Sequence, residues 1–416
     1  MSTTTMPAAQ PQFALGGARA WIVWTIAVTF VVWLFNVQTG YAIVNGSVQK
    51  SLNLSIDQIG LIAATYTWSF AIAQMFSGAL LDKLGSRKVL LPAITLVAIG
   101  VFLFAFAQSF EMLLLSQVIL AIGSSAGFVG AGYVGGTWFG MAKFGFMFGL
   151  VQLVAALSSA FGQAGFDFAL ANWDWRTIIT GFGIFGALLL LVAILFVRNP
   201  TEIHSEKQSI GQFVSSVFAS IAEVLKKPQI WFISIQGALV FGLILALGVV
   251  WGPKLLLAHG LDARSANYAT ACLWLGLAVG SPMVDKLSNA MKSRKLPILG
   301  TTLVQLVALL AVVYLPVTSV MAMVLYFIFG LCNAGHMLNF TAAADNVPPR
   351  LIGTSASIVN GSMFVFGGIL MGLPGKLLAG TQEALADYQH AMLVPIAALV
   401  LALLVALLIK ERYPKR

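Results

Sequence analysis

The chain has 416 residues, 59% of them hydrophobic and only 9% charged, with a mean hydropathy of +0.93. That composition holds too little polar surface to coat a soluble globule, which excludes a soluble enzyme, and the net charge of +9 lies in single residues at the ends of apolar runs, not along one face as a nucleic-acid binder needs. The apolar runs are about twenty residues long, the length of a bilayer-crossing helix and twice that of a β-barrel strand, so the fold class is an all-α membrane protein.

Residues 1–19 lack a positive segment followed by an apolar core and read as a cytoplasmic N-terminal tail. Charged and Pro/Gly-rich punctuation then predicts twelve transmembrane helices near 20–44, 56–81, 89–108, 112–138, 144–170, 176–197, 229–253, 265–286, 296–315, 318–343, 352–375 and 388–410. They divide into an N-terminal six-helix bundle, 20–197, and a C-terminal six-helix bundle, 229–410, with a cytoplasmic tail at 411–416. The linker between them, 198–228, contains Glu202, Glu206, Lys207, Glu223, Lys226 and Lys227. Phe213, Val217, Ile221 and Leu225 recur there at helical spacing, which reads as an amphipathic interfacial helix tethering the halves. Cys272 and Cys332 fall inside spans as small apolar residues and make no disulfide framework.

Orientation follows from the cations. If the chain starts in the cytoplasm, only Lys50, Arg176, Lys254, Arg264 and Lys376 fall on the far side, leaving eighteen of the 23 Lys and Arg inside. The expected location is the cytoplasmic (inner) membrane, with both termini cytoplasmic.

Between the second and third spans lies Gly78-Ala-Leu-Leu-Asp82-Lys-Leu-Gly85-Ser-Arg87-Lys88. Gly78 permits close helix approach, Asp82 can accept from a helix N-terminus or pair with a cation, and Gly85 allows a turn. Gly280 to Leu287 repeats the glycine and carboxylate at nearly the same spacing, with Asp285 followed by Lys292, Arg294 and Lys295. The interval from Asp285 to Arg294 is longer than that from Asp82 to Arg87, and no glycine stands where Gly85 does. Gly145 to Gln152 opens the fifth span much as Gly353 to Asn360 opens the eleventh, which supports two parallel repeats about an axis along the membrane normal.

The first loop resembles the signature G-x-L-x-D-x-x-G-x-R-[KR] of the major facilitator superfamily, and the second resembles its relic between spans eight and nine. The resemblance implies alternating access between two halves, with spans one, four, seven and ten lining a central cavity. It also implies a cytoplasmic gate built from Gly78, Asp82, Arg87, Asp285 and Arg294, in which each aspartate and arginine form a salt bridge. The alternative is that the arginines only anchor to headgroups. Gly123 to Phe139 in span four, rich in glycine and ending Trp138-Phe139, resembles a bacterial branch that imports amino acids and nucleosides.

On those four spans the polar and aromatic side chains mark the candidate substrate site: Trp33, Asn36 and Tyr41 on span one, Gln117 and Ser124 on span four, Gln236 and Trp251 on span seven, and Asn333, His336 and Asn339 on span ten. The competing reading is that such groups glue helices together. His336 is a titratable side chain at depth, so it is the candidate for proton coupling or substrate contact. Gln117 stands where many proton-coupled relatives carry an arginine, which leaves a facilitator or exchanger open. No Asp, Glu, Lys or Arg falls near the middle of a span, which favours a neutral or zwitterionic solute over a dianion. Lys254 and Lys376 keep a carboxylate or siderophore carrier as the alternative.

No metal cluster, nucleophile elbow or phosphate-binding glycine loop is present in the sequence, so no cofactor and no enzyme activity are expected. The expected partners are a small-molecule solute, protons and the lipid bilayer, with a monomer as the working unit.

Overall fold

The computed structural model describes residues 13–201 and 209–413, so residues 1–12 of the predicted tail and Glu202, Glu206 and Lys207 of the linker lie outside the described residues. Among the described residues the secondary structure is helical, with no strand. Ten stretches are long and apolar enough to cross a membrane. One of them lies in the continuous helix Ile56–Ala105, which Gly85 breaks with φ 76° and ψ 170°. Tyr41 on the first span donates to the Ile59 carbonyl and packs edge-on against Phe104, so both ends of that stretch lie together and it makes two antiparallel passes. The positive φ explains the glycine, since a Cβ would strain the turn.

A further pass is Ala263–Met291, whose polar residues keep it out of the ten. Gly276 and Gly280 hold it so close to the tenth span that an added Cβ would lie 2.2 Å from the Phe327 carbonyl oxygen and 2.5 Å from that of Leu331. Ten, plus the second pass of Ile56–Ala105, plus this helix, gives twelve spans. In order they are Ala18–Leu52, the two passes of Ile56–Ala105, the pair Phe110–Ser124 and Gly127–Phe139, Phe144–Asn172 and Trp175–Phe196 in the first half. The second half has Pro228–Leu245 continued by Gly252–Ala258, Ala263–Met291, Lys295–Tyr314, Ser319–Asn333 continued by Leu338–Ala344, Ile352–Leu378, and Leu385–Ala391 continued by Leu393–Leu408.

Four spans read as continuous are interrupted: span twelve at Met392, and three others each for a local reason. Span four breaks at Ser125 and Ala126 inside the run Gly123-Ser-Ser-Ala-Gly127, and span ten carries a 3-10 turn, Ala334–Met337, around Gly335. Span seven carries a π-helical turn, Ala246–Trp251, just before Pro253, whose missing N–H removes a regular helix bond. The linker helix Ile210–Leu225 is closed by a Ser209/Gln212 capping box. Its Val217 and Ile221 bury against Ala79, Phe76 and Leu80 of span two. The start of the first span and the end of the twelfth both lie at the same end of the bundle as the linker helix, and this is its basal end.

Candidate functional site

The two halves meet along two seams, span two against span eleven and span five against span eight. At the basal end of the first seam, the Asp82 carboxylate accepts from the backbone N–H groups of Gly353 at 2.8 Å and Thr354 at 2.7 Å, and from the Thr354 hydroxyl at 2.7 Å. These are the unpaired donors of the first turn of span eleven, where a negative charge meets the positive end of the helix dipole. One turn away, the approach of Gly78 to span eleven is so close that a Cβ would sit 1.9 Å from the Gly353 carbonyl oxygen. A turn further from the basal end, Asn360 donates to Gln74 at 3.1 Å, and beyond that Phe70 and Phe364 meet edge-to-face at 4.9 Å. The seam is thus interlocked from its basal end to mid-depth.

The second seam repeats the plan with its residues exchanged. The Asp285 carboxylate lies at the first turn of span five, against Gly145 and within hydrogen-bond reach of the Phe146 N–H. Gly149 takes the close-approach role, where a Cβ would sit 2.3 Å from the Ser281 carbonyl oxygen. Phe148 and Phe340 then meet at 4.4 Å.

Above these contacts, midway along the spans, is a cavity of about 260 Å³. Its rings are Phe35, Tyr66, Phe70, Phe128, Phe241, Phe340 and Phe364, and its polar groups are Gln38, Thr67, Ser124, Gln152, His336 and Asn360. The lining contains no Asp, Glu, Lys or Arg. Both halves contribute, and Thr67 on the wall is exposed, while the basal side is shut by the two seams.

This twelve-helix, two-half architecture agrees with a match of residues 20–372 to the family model of the Major Facilitator Superfamily. The chain belongs to the Major Facilitator Superfamily. Among curated superfamily relatives it is 25% identical to the uncharacterized transporter YybO of Bacillus subtilis, over 58% of this chain and 59% of that one. It is 24% identical to the uncharacterized MFS-type transporter YhjX of Escherichia coli, over 74% of this chain and 71% of that one. It is also 24% identical to the probable sulfoacetate transporter SauU of Cupriavidus necator, over 59% of this chain and 60% of that one. The chain therefore spans about three fifths of the length of the first and third of these relatives.

Of the ten residues read from the sequence as the substrate site of this superfamily member, the structure places Ser124 and His336 on the cavity, together with the ring neighbours Phe128 and Phe340. Ser124 pairs with the Tyr66 hydroxyl, and His336 places Nδ1 2.7 Å from the Asn333 carbonyl oxygen. Tyr41 and Gln117 line an adjoining hollow that shares Gln38 with the cavity. The other six lie elsewhere. Trp33 donates to the Phe182 carbonyl on span six at 3.0 Å, and Asn36 turns back to Val32 in a groove between spans one, five and six. Gln236 bridges Thr302 on span nine and Asn339 on span ten, Asn333 donates to the Val240 carbonyl, and Trp251 donates to the Met371 carbonyl. These are packing seams inside one half, where an amide satisfies a carbonyl or another amide.

One of the two arginines parts from the expected salt bridges. Arg87 makes no ion pair with Asp82; its guanidinium donates to the carbonyls of Val197 and Ile194 at the C-terminal end of span six, a favourable place for a cation. The turn at Gly85 sends it there. Arg294 does pair with Asp285 at 3.4 Å, and also with Asp345 at 3.1 Å, all within the second half. The cavity amides Gln38, Gln152 and Asn360 were not singled out from the sequence. The signal that could have found two of them was the internal repeat, because Gln152 and Asn360 close the matching segments Gly145–Gln152 and Gly353–Asn360.

Proposed function

We propose that this superfamily member is a secondary transporter that moves a small polar organic solute, an amino acid or a similar nutrient, across the cytoplasmic membrane by alternating access. The single observation that carries this reading is the cavity at mid-depth, lined from both halves and shut at the basal end by Asp82, Gly78, Asp285 and Gly149. Fifteen of the 20 Lys and Arg among the described residues lie toward the basal end, which supports reading that end as cytoplasmic and the conformation as closed to the cytoplasm. His336 is the proposed coupling residue, because it is the imidazole on the cavity wall. The working unit proposed is the monomer, since both seams and the cavity are complete within one chain.

A carboxylate or siderophore carrier is the second reading, favoured by the sulfoacetate named for one relative. The uncharged lining weighs against it, since an anion taken there would lose water with no fixed cation to replace it, at a cost of several kcal/mol. Lys254 lies with its ammonium 5.2 Å from the Trp251 ring, outside that lining.

The test is a thermal-shift screen of the purified protein against amino acids, nucleosides and organic acids, followed by flux of each stabilising solute in proteoliposomes with and without a pH gradient. The reading expects counterflow of at least one binding solute. Binding with no flux of any bound solute contradicts it, and pH dependence unchanged in His336→Gln removes the coupling role.

A further inference from the structure

The walls of the central cavity constrain the solute further than its transport does. Resting on the transport reading, we propose that the solute is a flat, uncharged heteroaromatic compound carrying N–H groups, held between phenylalanine rings of the two halves and read along its edge by Gln152, Asn360 and His336.

Charge comes first. The lining offers no fixed ion of either sign, so an anion or a cation would exchange water for a low-dielectric hollow without a counter-charge, whereas a zwitterion brings both charges with it and an uncharged solute brings neither. An uncharged solute avoids that cost.

Shape follows from the rings. Phe70 of the first half meets Phe364 of the second at 4.9 Å, and Phe128 of the first meets Phe340 of the second at 6.0 Å. Both contacts cross between the halves, so rings from opposite sides approach as the halves close. A planar π system entering between them replaces ring–ring contact with stacking. The volume of about 260 Å³ suits one or two fused rings, below the ~300–1,000 Å³ of sites for drug-sized ligands.

The edge is set by hydrogen-bond capacity. A carbonyl can only accept, so the 2.7 Å contact with the Asn333 oxygen places the hydrogen of neutral His336 on Nδ1 and leaves Nε2 as an acceptor. Asn360 donates one Nδ2–H to Gln74, which leaves its second N–H as a donor and Oδ1 as an acceptor. The Gln152 side chain is buried and makes no hydrogen bond among the described residues, so it can both donate and accept. One imidazole acceptor and two amides that each donate and accept line the same cavity, and together they can pair a solute rim that sets N–H donors next to a carbonyl or ring nitrogen, as in a nucleobase or an aromatic carboxamide. An aliphatic side chain would leave those groups unpaired, and a quaternary ammonium has no N–H to give.

The experiment uses the purified full chain in lipid nanodiscs, with binding read by thermal shift and calorimetry for adenine and nicotinamide against leucine, trimethylglycine and glucarate. Adenine or nicotinamide is expected to bind and stabilise, while its N,N-dimethylated analogue binds at least about tenfold more weakly, a loss of one hydrogen bond's worth. Gln152→Leu is expected to weaken binding by a similar factor. The analogue comparison needs no variant, so a misfolded Gln152→Leu does not spoil the test. Dimethylation without effect overturns the proposal, as do inert heterocycles. If leucine, trimethylglycine or glucarate binds instead and shows counterflow in proteoliposomes, this proposal falls while the transport reading stands; if none of the five binds, this proposal falls and the transport reading is decided by its own wider screen and flux assay.

Discussion

Asp82 and Asp285 occupy equivalent corners of the basal interface, yet the arginines that follow them go to different places. At the first corner Gly85, with φ 76°, turns the chain so that Arg87 reaches span six, and Asp82 is left to spend its charge on span eleven across the interface. At the second corner the longer interval, with Lys292 at φ 50°, folds Arg294 back onto Asp285, Asp345 and Ser288 of its own half. Glu411 then accepts from the backbone N–H groups of Arg294 and Lys295 and fixes that loop. Three hydrogen bonds from one carboxylate cross the first seam, whereas the Asp285 carboxylate is shared with Arg294 and Asn289. The comparison teaches that most of the electrostatic hold between the halves resides at Asp82, although the two sequence motifs look alike.

Sterics should give the largest effect. Gly78→Leu would put a Cβ 1.9 Å from a backbone oxygen that cannot yield, and Gly149→Leu one 2.3 Å from another. Each is expected to keep the basal end from closing and to cut flux to background, measured in proteoliposomes; normal flux in either breaks the symmetry of the two seams. Next comes charge. Asp82→Asn weakens charge-assisted bonds worth about 1.5–3 kcal/mol, a shift of roughly 10–100-fold toward the basal-open state, while Asp285→Asn is expected to shift it less because Arg294 keeps Asp345. Equal shifts, read by inter-half spin-label distances, would erase the distinction. Arg87→Ala removes a cation at a helix C-terminus worth ~0.3–1 kcal/mol, so thermal stability should fall while those distances stay put. Arg350→Ala should do least, because its pair with Glu223 has side chains 62% and 41% exposed and is worth about 0–1 kcal/mol. A clear loss of flux there would mean the linker helix belongs to the lock.

The twelve spans were legible because bilayer crossing demands long apolar runs, and even the marginal eighth span was marked by the repeated glycine and aspartate. The closed corners were partly legible: the option of Asp82 accepting from a helix N-terminus follows from residue type, but which helix does not. The cavity lining was least legible. Helical periodicity shows that Trp33 and Asn36 share a face, not that this face meets span six, while Leu34, Phe35 and Gln38 beside them meet the cavity. Each span in a six-helix bundle has several buried seams, and polarity alone does not separate a seam amide such as Gln236 from a cavity amide such as Gln152. The interruptions of spans four, seven and ten had a local signal in the Gly-Ser run, Gly335 and Pro253.

The most direct test of the central claim, a mid-membrane cavity locked at the basal end by Asp82, is thiol labelling at the wall. Thr67→Cys is made in a chain with Cys272 and Cys332 replaced by alanine, and membrane-impermeant reagent is applied to vesicles of each orientation. Labelling is expected from the face opposite the basal end, with basal-side labelling appearing when Asp82→Asn is added. Equal labelling from both faces without that substitution, or no basal gain with it, would contradict the account.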